Sequence, residues 1–350
     1  MSWTAASPVT SYTLQQSSNG GSSWTTVYSG TATSAAMSGL ADGSYTYHLQ
    51  ACNDTGGNSA CTAWVTGGTL VVTLPPSSAP SLSAPATSST GSYTVSWGGV
   101  STATSYTLQM SSNGGSSWST AYGGSATSWP ASGQGNGTYT YRMEACNAGG
   151  CSAWSGTGST VVTHPPASAP SLSVPATSST GNYAVSWGTV STATSYTLQL
   201  STNAGSSWST AYSGSATSWA ASSQGTGSYT YRLEACNAGG CSAWSTTGTT
   251  SVSLVPAEPA YISAPTQAPY PGNPWILSWP AASGATSYNV RRTTVGTSTV
   301  VTVYTGSATT TNDLTTPGTY LYAVDACNTA GCEPPRLSWR PFGLSQAALA

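Results

Sequence analysis

The sequence contains no Lys, and charged residues make up only 4% of its 350 residues, against about 25% in an average soluble domain. Six Arg and eight acidic residues give a formal net charge of −2. Such a chain offers no basic surface that could neutralise phosphates, so we expect no nucleic-acid partner. The same scarcity argues against docking of a polybasic segment on a membrane surface.

The chain also lacks long apolar runs. No stretch of about 18 apolar residues occurs, so we expect no membrane insertion by a helix. The first ten residues, MSWTAASPVT, have no basic segment followed by an apolar core, so no secretory signal is expected within this chain. For an exported protein this would mean that the signal was removed or that the chain is a piece of a longer precursor.

Residues suited to catalysis are few. His48 and His164 are the only two His, and they lie far apart in the sequence, so general acid–base or Ser/His/Asp chemistry has little to work with. The carboxylates are isolated; Glu144 stands two residues from Arg142, and we expect either a solvated ion pair or decoration of a strand edge there. No cluster approaches the six or more oxygens that calcium requires. We therefore predict no catalytic, cofactor-binding or metal site, and no enzyme activity.

Eight Cys form four close pairs, none with a nearby His: Cys52/Cys61, Cys146/Cys151, Cys236/Cys241 and Cys327/Cys332. Close pairs with no second pair adjacent make poor tetrahedral zinc sites and good local disulfides. A redox-active pair is the other alternative, but a reactive thiolate needs a neighbouring cation or helix N-terminus, and neither is evident. Disulfides indicate an oxidising compartment.

The sequence is internally repetitive. The string SYTLQ begins at Ser11, Ser105 and Ser195 and returns as SYNVR at Ser287, in steps of 94, 90 and 92 residues, and residues 77–166 and 167–256 are identical at 70 of 90 positions. Such a period identifies repeated structural units. The predicted organisation is four domains and a tail: domain 1, residues 1–76; domain 2, 77–166; domain 3, 167–256; domain 4, 257–340; and the tail, 341–350.

Within a domain the hydrophobic pattern has period two. Tyr93, Val95 and Trp97 alternate with Thr94 and Ser96, which is typical of a strand with one buried face. About seven such strands in 90 residues predict an all-β sandwich of two sheets. Large aromatic residues on the inner face are expected to form much of its core. The predicted core residues are Trp3, Trp97, Trp187, Trp279, Tyr106, Tyr139, Tyr196 and Tyr229.

These features resemble bacterial fibronectin type III modules. The family's inner Trp of the second strand corresponds to Trp97, its third-strand Tyr to Tyr106, and its L-x-x-x-x-T-x-Y-x-x-x-V-x-A run, with one small spacing difference, to LTTPGTYLYAVDA at 314–326. The resemblance implies a tandem array of four immunoglobulin-like (fibronectin type III) β-sandwiches. The segments GGSSW, YTYR and ACNAGGCSAW are similar to repeats of very large secreted or surface proteins, including Rhs/YD-repeat proteins. The resemblance is specific for the fold but says almost nothing about function.

Three further aromatic residues, Trp24, Trp118 and Trp208, each follow the Gly-rich turn of one of the first three domains. Surface Trp rows bind sugar rings by stacking, and exposed Trp also anchors protein interfaces. The favoured interpretation is that these residues fill or cover the sandwich. Protein–protein packing and glycan stacking stay open as alternatives.

The function favoured by these observations is structural: a non-enzymatic extracellular rod or filament subunit, secreted or at a cell surface. The expected partners are further copies of the chain or neighbouring domains of a longer chain, because a surface with so little charge lacks repulsion between molecules. The alternatives are a carbohydrate-binding or cell-adhesion module array and a passive spacer of a larger secreted protein.

Assembly could use strand addition. Domains 2 and 3 begin with the strand-like segments PSLSAP and PSLSVP, whereas in domain 1 the inner Trp is already Trp3, so an unpaired edge is expected there. The tail resembles the missing strand, with Phe342, Leu344 and Ala347 as its candidate assembly residues. In this hypothesis the tail of one subunit completes domain 1 of the next, which propagates without closing.

Overall fold

A computed structural model of the chain describes residues 1–55, 58–264, 274–314, 316, 318–333 and 340–342. Within these ranges the secondary structure consists of thirty β-strands without helices. No helix in the described ranges is long and apolar enough to cross a membrane. The chain divides into two compact units, residues 1–164 and 165–350, each considered by itself below.

The strands follow one another in four groups that correspond to the four repeats. Domain 1 contains β1 (Ser11–Ser17), β2 (Thr25–Gly30), β3 (Gly43–Thr55), β4 (Asn58–Cys61) and β5 (Val65–Val72). Domain 2 contains β6 (Leu82–Ser83), β7 (Thr87–Ser88), β8 (Tyr93–Trp97), β9 (Ser105–Ser111), β10 (Ser119–Gly124), β11 (Ser128–Ala131), β12 (Gly137–Asn147), β13 (Gly150–Cys151) and β14 (Gly158–Val162).

The second compact unit holds the other two groups. Domain 3 contains β15 (Leu172–Ser173), β16 (Thr177–Ser178), β17 (Tyr183–Trp187), β18 (Ser195–Ser201), β19 (Ser209–Gly214), β20 (Ser218–Ala221), β21 (Gly227–Asn237), β22 (Gly240–Cys241) and β23 (Gly248–Val252). Domain 4 contains β24 (Trp275–Ser278), β25 (Ser287–Thr294), β26 (Val300–Gly306), β27 (Thr310–Asp313), β28 (Tyr320–Asn328), β29 (Gly331–Cys332) and β30 (Arg340–Phe342).

Domains 2 and 3 are complete sandwiches with the same strand order. In domain 2 a small sheet in the order β11-β8-β6 packs on a larger sheet in the order β10-β9-β12-β14-β7. Domain 3 repeats both sheets strand for strand. Two sheets with this division of strands, antiparallel except where β7 joins β14, form an immunoglobulin-like sandwich. The chain is thus a tandem array of fibronectin type III-like sandwiches, as the period-two pattern predicts.

The core of domain 2 lies between its sheets, because alternate residues of each strand face inward. Trp97 is 5% exposed, and its ring lies against those of Tyr106 and Tyr122. Val95 and Leu108 are fully buried beside them. The equivalent cluster of domain 3 surrounds Val185 and Trp187, and that of domain 4 surrounds Leu277 and Trp279.

Domain 1 has a smaller core. The pairing that joins β8 and β11 in domain 2 is reduced here to a bridge between Ser2 and Ser34. Its cluster contains three buried residues, Leu14, Tyr45 and Tyr47, and Trp3 is only partly buried against them. The prediction of Trp3 as a core residue therefore needs correction: no strand covers this side of its ring among the described residues, so the side chain lies at the margin of the core.

The last strand of domain 4 also differs from the predicted boundary. Phe342 pairs with Tyr320 and Arg340 with Tyr322, in the antiparallel pair β28–β30, just as β14 pairs with β12 in domain 2. Domain 4 therefore extends beyond residue 340, and Phe342 belongs to its own sandwich instead of to a free tail. The physical reason is that β28 would otherwise leave one of its edges unpaired. Leu344 and Ala347 lie outside the described residues.

Candidate functional site: a stacked face on the larger sheet

The outer face of the larger sheet carries a polar pair at its centre in domain 2. Because successive side chains of a strand point to opposite faces, Arg142 points outward between the buried Tyr141 and Met143. Gln109 lies directly opposite on β9. The Nε and Nη2 groups of Arg142 both donate to Gln109 Oε1, at 2.9 and 2.8 Å.

Two indole rings enclose this guanidinium. Its central carbon lies 4.3 Å from the ring centroid of Trp118 and 4.5 Å from that of Trp154. A cation over the face of Trp is attracted by the ring quadrupole, most strongly when water is excluded. We call the Trp118–Arg142–Trp154 stack the clamp of domain 2.

The turn before β10 positions the first indole. Asn113 begins this turn; its Oδ1 accepts hydrogen bonds from Ser111 Oγ at 2.8 Å and from the Ser117 amide at 2.9 Å. Gly114 and Gly115 follow with φ of 70° and 90°, a conformation that glycine adopts without steric cost. Gly115 also packs closely against the indole, since a Cβ there would make van der Waals contact with the Trp118 ring at 3.4 Å.

Two hydroxyl groups position the second indole. The pairing of β12 with β14 stops at Tyr141, and the rest of β12 bonds to the segment that follows the disulfide. The amides of Ala145 and Met143 donate to Ser152 Oγ and Ser155 Oγ, respectively, each at 3.0 Å. The backbone amides of these two Ser donate in turn to the carbonyls of Ala145 and Met143, at 2.8 and 2.7 Å. Trp154 lies between the two Ser, so its ring is held over Arg142.

Domain 3 repeats the clamp. The guanidinium of Arg232 lies 4.3 Å from the ring centroids of both Trp208 and Trp244. Its Nε donates to Gln199 Oε1 at 2.9 Å.

Domain 1 has the same stack with imidazole in place of guanidinium. The ring of His48 lies between Trp24 and Trp64, with centroid distances of 3.5 and 3.9 Å and interplanar angles of 8° and 19°. Its Nε2 is 2.8 Å from Gln15 Oε1. His48 is 8% exposed, and burial lowers the pKa of its imidazole below the ordinary value because the charged form loses hydration.

Domain 4 replaces the clamp with ion pairs. Val300 and Ala323 stand where Trp118 and Arg142 stand in domain 2. Arg291, on the neighbouring strand, instead pairs with Asp325 at 2.5 Å. On the inner face, Arg292 pairs with Asp313 at 2.7 Å.

The Asp313 carboxylate of domain 4 also accepts a hydrogen bond from the hydroxyl of Tyr322 at 2.7 Å. Burial, and then this bond to Asp313, raise the pKa of Tyr322 above its ordinary value. The equivalent hydroxyl in domain 2 belongs to Tyr141 and is bonded to that of Tyr93 at 2.7 Å. In domain 4 the buried Tyr322 hydroxyl thus bonds to a carboxylate of an ion pair, whereas in domain 2 the equivalent hydroxyl bonds to a second Tyr.

The predicted surface aromatics therefore all lie in stacks. Trp24, Trp118 and Trp208 lie against His48, Arg142 and Arg232, respectively, on the outer face of the larger sheet instead of filling the sandwich. Of the two roles expected for Glu144, the structure does not show the ion pair: within the described ranges Arg142 and Glu144 form none, because the guanidinium is held by Gln109 and the two indoles. The second Trp of each stack, Trp64, Trp154 and Trp244, was not singled out from the sequence.

The remaining predicted residues divide into buried and half-buried groups. Trp97, Trp187, Trp279, Tyr106 and Tyr196 are buried. Tyr139 and Tyr229 are only half-buried. Their hydroxyls donate to the carbonyls four residues upstream, Gly135 at 3.2 Å and Gly225 at 3.0 Å. Each ring therefore lies at a corner of the sandwich with its polar end at the surface, a recurrent feature of immunoglobulin-like domains.

The structure has four disulfides, and they join the predicted pairs: Cys52–Cys61, Cys146–Cys151, Cys236–Cys241 and Cys327–Cys332. In domain 2 the carboxylate of Glu144 lies close to Cys146 and Cys151. With both sulfurs in a disulfide, only one anionic ligand remains there, which is too few for a zinc site.

Comparisons with known proteins add little to these observations. No family model matches the chain, and no curated protein matches it. The strand order and pairings described above define the sandwich by themselves. Among solved structures, the chain is similar to the FN1–FN3 domains of chicken CNTN1, with 17% identity over 76% of this chain and 98% of that chain and a TM-score of 0.29.

Proposed function

We propose that the chain is a non-enzymatic extracellular structural protein, a rod or filament subunit built of fibronectin type III-like domains. The observation that carries the proposal is the way in which one domain holds the linker of the preceding domain. This contact occurs once in each compact unit.

The first linker contact joins domain 2 to the end of domain 1. The Asn147 side chain donates to the carbonyl of Leu74 at 2.8 Å and to that of Thr102, within its own domain, at 3.3 Å. The next turn packs against the same linker so closely that a Cβ on Gly149 would lie 2.1 Å from the Thr73 carbonyl oxygen. Such a contact restricts rotation about the Leu-Pro-Pro linker, which is itself stiff.

The second linker contact lies within the other unit. Asn328 donates to the carbonyls of Leu254 and Gly284, at 2.8 and 3.3 Å. The amide of Ala330 donates to Asn328 Oδ1 at 2.8 Å and holds the side chain in place. Domain 4 thus holds the preceding linker through the same side-chain type as domain 2, which supports a role in keeping successive domains at fixed spacing.

Disulfides close the turns that carry both Asn residues. Cys146–Cys151 flanks Asn147, and Cys327–Cys332 flanks Asn328. Disulfides persist in oxidising compartments, which supports secretion or display at a cell surface. The likeness of the repeats to those of large secreted and surface proteins favours the same location.

The carbohydrate-binding alternative is the less favoured one. The indoles that suggested glycan stacking already place a face on Arg142, Arg232 or His48. Gel migration through soluble polysaccharides is the direct check, and retarded migration would restore this alternative.

Variants at the linker contacts test the proposal. Electron microscopy and small-angle X-ray scattering would compare the native protein with an Asn147→Ala, Asn328→Ala double variant. We expect elongated native particles of uniform length and a broader length distribution for the double variant. The matched control is Asn53→Ala, since Asn53 has the corresponding position in domain 1 and its Oδ1 has no partner among the described residues. Compact native particles, or equal broadening by the control, would contradict the proposal.

A further inference from the structure

The outer face of β12 brings three groups that can bind metals close together in domain 2. The Glu144 carboxylate and the sulfur atoms of Cys146 and Cys151 all lie within 4.8 Å of one another. The same cluster recurs in domain 3, at Glu234, Cys236 and Cys241. The disulfide removes both sulfurs as ligands, but every chain is synthesised with its Cys residues as thiols. In that state the two thiolates and the carboxylate can all bind a metal ion.

The hairpin that carries the two Cys residues is held by more than the disulfide. Cys146 and Cys151 face each other across β12 and β13, with their Cα atoms 4.0 Å apart. The Thr104 amide donates to the Cys146 carbonyl at 2.8 Å. The Ser152 amide donates to the Ala145 carbonyl, also at 2.8 Å. Because these backbone bonds do not involve sulfur, we expect the two Cys side chains to stay opposite each other after reduction.

The spacing of these ligands suits a thiophilic divalent cation. Four residues separate Cys146 from Cys151, within the range of about two to four found between neighbouring Cys ligands of zinc sites. At a Zn–S distance of about 2.3 Å, tetrahedral coordination places two thiolates about 3.8 Å apart. Side chains whose Cα atoms are 4.0 Å apart reach this separation by rotation about χ1. With Glu144 as the third ligand, one position is left for water.

The Glu144 carboxylate is available for such a site. It is half-buried, on the same outer face as Cys146. Within the described ranges it has no hydrogen bond or ion pair to another side chain. The neighbouring Arg142 is held by Gln109 and two indoles instead. An anionic ligand without a partner therefore lies next to the two sulfur atoms.

Domains 1 and 4 lack an available third ligand. In domain 1 the corresponding residue is Gln50, which carries no charge, and Cys52 and Cys61 are nine positions apart instead of five. In domain 4 the corresponding residue is Asp325, whose carboxylate is already paired with Arg291. The chain thus contains two complete and two incomplete versions of the cluster.

We propose that domains 2 and 3, in their thiol form, each bind one thiophilic divalent cation such as Zn²⁺. The ligands are the two Cys thiolates and the carboxylate of Glu144 in domain 2 or Glu234 in domain 3. Binding displaces two thiol protons. While the ion is bound, these Cys residues are kept from pairing with those of other domains.

Oxidation releases the ion. A small disulfide, such as oxidised glutathione, takes two electrons from the two thiolates and leaves as two thiolates of its own. The Cys146–Cys151 bond forms, and the cation leaves with only Glu144 remaining as a ligand. This inference does not depend on the chain being a rod or filament subunit, so its failure would leave the proposed function untouched.

The test uses the 350-residue chain reduced with a trialkylphosphine, which supplies no competing thiol, and the probe is Cd²⁺ alone. We expect two ions per chain, measured by thiolate-to-cadmium charge-transfer absorption and by elemental analysis after gel filtration. Near-ultraviolet circular dichroism should keep the native indole signal, since the domains stay folded. Oxidised glutathione should then release both ions as the disulfides form.

Variants separate the carboxylate from the sulfur atoms. Glu144→Gln should weaken one of the two sites at least about tenfold, because loss of an outer-shell partner alone can cost that much and Glu144 is a direct ligand. The matched control is the double variant Cys327→Ser, Cys332→Ser, which removes the Cys pair of domain 4. It should leave two ions bound, since that pair has no available carboxylate.

Four results would overturn the inference. Binding of no Cd²⁺ by the folded, reduced protein would show that the clusters are not metal sites. Four equally bound ions, or unchanged affinity in Glu144→Gln, would show that a Cys pair binds without the carboxylate. Fewer than two ions on the domain 4 control would show that its Cys pair takes part. Loss of the native indole signal on reduction would show that the hairpin register needs the disulfide.

Discussion

Arg142 and Gln109 face each other across the central strand pair of domain 2, and both the Nε and Nη2 groups of the guanidinium donate to the single oxygen Gln109 Oε1. This paired bond fixes the orientation of the guanidinium, whose central carbon lies 4.3 and 4.5 Å from the ring centroids of Trp118 and Trp154. The clamp is therefore a joint product of the strand register and the planar shape of the Arg side chain.

Replacement of this Arg by Lys should weaken domain 2. An ammonium group cannot donate through two coplanar nitrogens and stacks poorly between two rings. We expect Arg142→Lys to lower the free energy of unfolding by about 1–2 kcal/mol, measured by denaturant titration. Glu144→Gln, on the same face of β12, is the matched control and should change it by less than about 0.5 kcal/mol. Equal effects of the two variants would mean that the clamp contributes nothing specific.

The stability of domain 1 should depend on pH through His48. Burial lowers the pKa of this imidazole, so the unfolded chain takes up the proton more readily than the folded domain. Stability is thus fully present above the unfolded pKa of about 6.5 and is lost as the pH falls from there through the folded pKa.

The variant His48→Arg makes this pH dependence testable. It gives domain 1 the cation of domains 2 and 3, and it should make the unfolding temperature of domain 1 nearly constant between about pH 7.5 and about pH 5. Calorimetry of the variant and the native protein at several pH values measures this. A native protein without any slope in this range would contradict the prediction.

Ala204 should be replaceable by Gly with a gain in stability. Ala204 has φ of 55°, whereas the equivalent residue of domain 2 is Gly114, which has φ of 70° and where an added Cβ would meet no atom within 4 Å. A left-handed Ala costs about 1–2 kcal/mol, and the added freedom of Gly in the unfolded chain offsets about 0.4–1 kcal/mol of the gain. We expect Ala204→Gly to stabilise domain 3 by about 0.5 kcal/mol and Gly114→Ala to destabilise domain 2. Thermal unfolding of both variants measures these changes. Destabilisation by Ala204→Gly together with stabilisation by Gly114→Ala would refute the strain argument.

Removal of the central indole should be far more damaging than removal of a stacked one. Trp97 is 5% exposed and contacts the rings of Tyr106 and Tyr122. Trp97→Ala should cost about 3–5 kcal/mol. The half-buried Trp118 provides the comparison, and Trp118→Ala should cost clearly less. A cost below about 1 kcal/mol for Trp97→Ala would mean that the strand register is wrong.

All eight Cys should be paired within their own domains in the purified protein. Mass mapping without reduction, after cleavage at aromatic residues, should recover the four pairs, and thiol titration should find none free. Opening one small loop such as Cys146–Cys151 should cost about 2 kcal/mol in the chain-entropy model. Recovery of a bridge between domains would refute the pairing.

The sandwich could be predicted from the sequence because its cause is local. Alternation such as Tyr93, Val95, Trp97 allows only one face to be buried, and tight turns at Gly114 and Gly115 allow only hairpins. The close Cys pairs likewise needed no long-range information. The exact boundaries of the four domains stay predictions, apart from the end of domain 4.

The clamp could not be predicted from the sequence, because its three residues are far apart in the chain and none of them is unusual by itself. Trp118, Arg142 and Trp154 come from three separate segments and meet only through the register of β9, β10 and β12. One signal was available: the corresponding positions of domain 4 hold Val300, Ala323 and Pro335, so all three members are lost together. The end of domain 4 was missed for a related reason, because the LSW segment at 337–339 resembles a strand. In domain 2 the last strand begins seven residues after Cys151, and that spacing favours a start near Arg340.

The linker contact of Asn147 has an evolutionary consequence. Its partner on the preceding linker is the backbone carbonyl of Leu74, so the identity of that side chain does not enter the bond. A domain can then follow any neighbour whose linker has the same backbone path, and a duplicated domain fits without compensating changes on either side. Whole repeats can therefore be gained or lost without further substitutions, and the length of the protein can change in increments of one domain.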